Sequence, residues 1–133
     1  MRTREDIESY LSRSNYPHRE IDDCTWLVQD PSGLREHVVV KIKGDLALFR
    51  VKVMDVAKAD AGFYSTLLEL NATDMVHGAY GVTDGKVLLV ASLRLENLDY
   101  NEFVGTLDDF GMALSKHHER LAPFGVPFQP AKA

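Results

Sequence analysis

One cysteine, Cys24, stands in the 133 residues. No internal disulfide is possible, and a reducing compartment is the default for such a chain. No apolar run approaches the roughly 20 residues of a membrane-spanning helix. Met1-Arg2-Thr3-Arg4-Glu5-Asp6 lacks the apolar centre of a signal peptide. A cytoplasmic protein with no membrane contact is expected. Base is not in excess either: 15 Lys and Arg stand against 20 Asp and Glu, a net charge of -5. That balance argues against nucleic-acid binding, which needs a positive surface to neutralise phosphates. The glycines are scattered and form no phosphate-binding loop.

Catalytic and metal constellations are missing as well. His117 and His118 are adjacent on an expected helix, so their side chains diverge, and no third ligand stands at a metal spacing. They read as residues suited to a helix C-terminus. Asp22-Asp23 and Asp108-Asp109 diverge for the same reason and read as solvated surface rather than an acid/base dyad. Asp22 and Asp23 beside Cys24 would raise a thiol pKa, the wrong direction for a nucleophile. His77 reads as a hydrogen-bonded structural histidine. No enzyme, metal or cofactor is expected.

What is present is an ordinary globular composition, 45% hydrophobic and 26% charged. The length is a prior for one domain. We place it at residues 1–122, with a Pro-rich tail at 123–133 that is either a docked extended segment or partly disordered. The chain centres on the stretch from Met75 to Leu95. Asp84-Gly85 suits a two-residue turn with positive φ at both positions. That turn sets Val82 against Val87, Tyr80 against Leu89, Gly78 against Ala91 and Val76 against Leu93, an apolar face throughout. The opposite face is mostly apolar too, so both sides need a cover.

Three strands precede it. Thr25–Gln29 reads as the first, ended by the Asp30-Pro31-Ser32-Gly33 turn signature. Glu36–Lys43 and Leu46–Met54 follow, joined by Gly44-Asp45. This turn sets Ile42 against Ala47, Val40 against Phe49 and Val38 against Val51, all apolar and facing one way. Lys43–Leu46, Lys41–Leu48, Val39–Arg50 and His37–Lys52 face the other. Alternation and turn chemistry agree on this register.

Helices punctuate the strands. Thr3 with Asp6 resembles a capping box for a helix carrying Ile7, Tyr10 and Leu11, which stops near Ser14-Asn15. Asn15 to Asp23 reads as a polar connector. Asp60 caps a second helix running to Leu70, with Asn71 as a left-handed end. Its apolar residues Phe63, Tyr64, Leu67, Leu68 and Leu70 cover most of its circumference, which calls for burial on more than one side. Asp99, with Glu102, caps a long third helix whose stripe is Phe103, Leu107, Phe110, Leu114 and Leu121, ended by Pro123. Gly105 and Gly111 within it hint at close packing on the sheet.

The order is helix, three strands, helix, two strands, helix. This is an α+β fold with a five-stranded, mainly antiparallel sheet. Three stretches carry a family likeness. Leu67-Leu68-Glu69-Leu70-Asn71 looks like a helix end, Gly81-Val82-Thr83-Asp84-Gly85-Lys86-Val87 a late hairpin, and Leu95-Glu96-Asn97-Leu98-Asp99 the lead into a last helix. With the element order, they resemble the type III secretion chaperone fold, the Tir-chaperone class and its YbjN-type relatives. The resemblance implies a homodimer that holds an extended segment of a client protein.

Two surfaces follow. On the outer face of the second and third strands, Val39, Lys41, Leu48 and Arg50, with Tyr10 as a neighbour, alternate apolar and cationic groups. They suit an extended acidic or amphipathic peptide. The competing reading is a solvated face whose lysines discourage edge pairing. Phe63, Tyr64, Leu67, Leu68 and Val90 are assigned to a dimer interface. The alternative function is a small-molecule sensing or regulatory domain, with its ligand between the last helix and the sheet.

Overall fold

The chain runs α1 (Arg4–Ser14), β1 (His18–Asp22), β2 (Thr25–Val28), β3 (Val38–Lys43), β4 (Leu46–Asp55), α2 (Ala61–Thr73), β5 (Ala79–Thr83), β6 (Lys86–Arg94) and α3 (Tyr100–Leu121) in a computed structural model. The structure describes residues 1–30, 32 and 37–126. All strand pairs are antiparallel, in the order β1-β2-β3-β4-β6-β5.

The hairpin register holds as expected. Val40 pairs with Phe49, Ile42 with Ala47, Lys41 with Leu48 and Val39 with Arg50. Val40 and Phe49 are buried while Lys41 and Arg50 are exposed. The α3 helix lies against the buried face, where the Phe49 ring meets Phe103 at 5.3 Å and Phe110 at 6.3 Å. Its apolar stripe, Phe103, Leu107, Phe110, Leu114 and Leu121, is buried in full. The Asp99 carboxylate caps it by accepting from the Glu102 N–H at 2.7 Å. The α1 helix has the Thr3–Asp6 capping box and ends at Asn15 with φ of 65°. It buries Ile7 and Leu11. The Trp26 indole N–H donates to Glu8 of α1 at 2.6 Å, tying that helix to the sheet.

Several expectations are corrected. The sheet has six strands, not five, because His18–Asp22 within the expected connector is an edge strand. It pairs Arg19 with Leu27 and Glu20 with Trp26, and all its residues but His18 are exposed. With one side unpaired and no apolar face, it shows no alternation. The α2 helix continues past Asn71 to Thr73, and Asp74 is its cap in a right-handed conformation. The β5 strand begins only at Ala79, so Val76 and Gly78 stand outside the ladder, and Val76 is exposed. Gly78 has φ of +89°, and a Cβ there would lie 2.7 Å from the Val90 carbonyl oxygen. It is therefore Gly78, rather than Gly105, that allows a close approach, since a Cβ at Gly105 would meet nothing within 4 Å. Gly111 is buried.

Pro31 and Gly33 of the expected turn, and Glu36 at the expected strand start, lie outside the described residues. So does the tail beyond Val126. Before that point, Phe124 sits in a short 3-10 turn with its ring 5.7 Å from that of Phe63. The Ala57 N–H donates to the Phe124 carbonyl at 2.9 Å, and the Val126 N–H to that of Asp55 at 2.9 Å. The C-terminal segment thus docks over the end of β4 and the start of α2.

Candidate functional site

The side of the sheet away from α3 carries the candidate groove. Strand register fixes its layout, because cross-strand neighbours point to the same face. One row across the sheet is Leu27, Val39, Arg50, Val90 and Ala79; the next is Thr25, Lys41, Leu48 and Ser92. Leu48 therefore has Lys41 and Ser92 beside it and Leu46 and Arg50 along its strand. The apolar members of these rows are partly buried, whereas Lys41, Lys43 and Arg50 are exposed. A groove of about 650 Å³ runs over this surface, lined by Val39, Lys41, Lys43, Leu48, Arg50 and Val90 among others.

Its charge is one-sided. Lys52 pairs with Asp55 at 3.0 Å and Arg94 with Asp45 at 3.6 Å, neither pair lining the groove. Lys41, Lys43 and Arg50 have no ion-pair partner among the described residues. Exposed cations interleaved with partly buried aliphatic groups, in a chain of net charge -5, form a local field opposite in sign to the whole.

Of the residues assigned to client binding, Val39, Lys41, Leu48 and Arg50 come together on this face. Tyr10 does not join them. Its ring packs on Phe103 at 5.6 Å, and its hydroxyl donates to the Leu98 carbonyl at 2.7 Å, on the helical side of the sheet. Of the residues assigned to an interface, Phe63 and Leu67 are buried within the chain. Tyr64 is 47% exposed and Leu68 68% exposed. Val90 lies across the sheet in the groove itself. The space between α3 and the sheet is filled by Phe49, Phe103, Leu107 and Phe110.

Two histidines gain partners that sequence reasoning did not name. His77 lines the end of the groove, and its Nδ1 is hydrogen-bonded to the Asp109 carboxylate of α3. Neighbouring Asp108 accepts instead from the Tyr16 hydroxyl, so the adjacent carboxylates do diverge. The Asp108 contact, after burial, pushes the Tyr16 hydroxyl pKa up. His117 is 2% exposed and sits between the Tyr80 hydroxyl, 2.8 Å from Nδ1, and Asp74, 3.1 Å from Nε2. The spacing from Asp74 to His117 shows no motif; only the fold joins them. Partial burial, then the Asp23 carboxylate, pushes the Cys24 thiol pKa up. Among the described residues no group of three His, Cys, Asp or Glu could hold a metal ion. None of the helices among them is long and apolar enough to cross a membrane.

Comparison with known proteins agrees with the fold. Residues 1–126 match the CesT_Tir_1 family model, and the chain belongs to this type III secretion chaperone family. The solved structure of YbjN, a proposed transcription regulator from E. coli, is similar at a TM-score of 0.73 and 13% identity, covering 96% of this chain and 97% of that one. A chain of the heterodimeric ExoU–SpcU complex from the Pseudomonas aeruginosa type III secretion system matches at 0.65 and 21% identity, covering 92% and 99%. The ExsC–ExsE complex matches at 0.59 and 15% identity, covering 91% and 97%. These likenesses establish the fold. No curated protein matches the chain.

Proposed function

We propose that this protein is a non-enzymatic, dimeric chaperone-like module of the cytoplasm that holds an extended segment of a client protein on the open face of its sheet. The observation that carries the reading is the groove around Leu48. Helices cover one face of the sheet; the other presents aliphatic spots between the exposed Lys41, Lys43 and Arg50. An extended segment has few contacts of its own. The aliphatic spots supply affinity, while the cations, set at strand spacing, choose among clients. Family membership supports the reading, and so does the solution of two structural neighbours as complexes. The client-holding body is residues 1–122, and the dimer forms through what α2 leaves exposed, Tyr64 and Leu68.

The test is a Leu48→Asp, Arg50→Glu double variant compared with wild type as bait in lysate of the native cell. Neither side chain belongs to the core, so the variant should fold and assemble normally. It should lose the proteins that co-purify with wild type. Full retention of every partner at unchanged affinity would place the client site elsewhere.

A further inference from the structure

The groove ends at a histidine held from behind. His77 lies in the loop between α2 and β5, 40% exposed at its side chain, and its ring lines the groove. Asp109 of α3 takes Nδ1. An ionised carboxylate only accepts hydrogen bonds, so Nδ1 carries the proton. Nε2, on the other side of the ring, has no partner among the described residues. The loop holding His77 is fixed by Gly78. A Cβ at that position would lie 2.7 Å from the Val90 carbonyl oxygen and 3.0 Å from the Phe110 ring.

We propose that His77 is the specificity-determining residue of the client groove: it reads an acidic side chain of the bound segment through Nε2, with Asp109 as its positioning residue. This rests on the client-holding reading above. The chemistry is that of a fixed imidazole. With the ring neutral, Nε2 accepts a hydrogen bond, which suits a hydroxyl or amide. With the ring protonated, Nε2 donates, which suits a carboxylate. A client carboxylate at this point therefore draws a proton onto the ring as it binds. Lys41, Lys43 and Arg50 favour the same partner by charge, since nothing else among the described residues neutralises them.

The charged groups near His77 are few. Asp109 comes from α3, the lysines from β3 and Arg50 from β4, while the β6 residues of the groove, Val90 to Leu93, bring no titratable group. Asp108 is engaged by Tyr16, and Asp74, at the start of the same loop, by Thr73, His117 and Lys116. The occupant that matches this arrangement is an acidic, amphipathic extended segment with aliphatic and carboxylate side chains alternating on one face.

Two fluorescent peptides provide the probe. In one, leucine and glutamate alternate on the groove-facing side with serine between them; in the other, glutamine replaces glutamate. Anisotropy is read between about pH 5.5 and 8, the range in which imidazoles change charge. Wild type should prefer the glutamate peptide by about tenfold at the acid end, the scale of one hydrogen bond to a charged group plus its neighbours. That preference should shrink as pH rises. In His77→Gln the pH dependence of the glutamate preference should vanish. In Asp109→Asn it should weaken. A glutamate preference with the same pH profile in wild type and His77→Gln overturns the role of His77 and leaves the groove reading standing. Failure of both peptides to bind wild type overturns both.

Discussion

The side chain of Asn71 holds both backbone groups of Tyr80: it accepts from the Tyr80 N–H at 2.7 Å and donates to the Tyr80 carbonyl at 3.1 Å. Tyr80 lies on β5, the last strand of the sheet, so these groups would otherwise offer an open ladder to a further strand. A helix side chain thus closes the edge at Tyr80. Asn71→Ala should lower stability by about 1–3 kcal/mol, the cost of leaving partly buried polar groups unpaired. It should also raise concentration-dependent self-association. Urea titration and light scattering check the two effects separately; a variant as stable and as dispersed as wild type would show that the contact is idle.

Asp74 joins the end of α2 to α3 and should make the fold acid-sensitive. Its carboxylate is held below the usual range by the Thr73 hydroxyl first and by His117 next, with Lys116 adding to both. A carboxyl whose folded pKa is depressed contributes stability above its unfolded pKa, near 4, and that contribution is lost as pH falls through the lower folded value. Wild type should lose stability on this account only below about pH 4. Asp74→Asn should show a flatter acid limb, measured by denaturant titration across that range. Equal slopes in the two proteins would mean that other carboxyls carry the acid response.

Exposed Tyr64 and Leu68 lie one turn apart on α2, with Val82 of the neighbouring β5 also exposed. If a second copy covers this strip, the interface should bury more than about 1,000 Å² in total. Leu68→Glu should then give a monomer that keeps its fold, because a carboxylate would enter an apolar contact without a partner. The check is light scattering on both proteins at matched concentration. A wild-type protein already monomeric at micromolar concentration would remove the idea.

The two hairpins were legible because independent signals converged. Gly44-Asp45 and Asp84-Gly85 set registers that the alternation of Val38, Val40, Phe49 and Val51 also demands. The outer face followed from the same register, and with it Val39, Lys41, Leu48 and Arg50. What escaped was settled by distant partners. The β1 strand escaped because an edge strand of mostly exposed residues has no pattern to show. Asn71 looked like a helix end, yet its side chain is engaged by β5 and the helix runs on. Tyr10 looked like a neighbour of the groove from sequence, but its hydroxyl is fixed by Leu98, 88 residues away in the chain and on the other side of the sheet. The His77–Asp109 and His117–Asp74 pairs join elements whose spacing in the chain carries no signal.

A client should lie across the open face of the sheet. Amine labelling of the co-purified complex, read residue by residue by mass spectrometry, tests it most directly. Lys41 and Lys43 line the groove, whereas Lys116 is exposed on α3, on the other side of the sheet. With client bound, Lys41 and Lys43 should be protected and Lys116 should label as in the free protein. Protection of Lys116 with Lys41 and Lys43 still fully reactive would contradict a client on the open face.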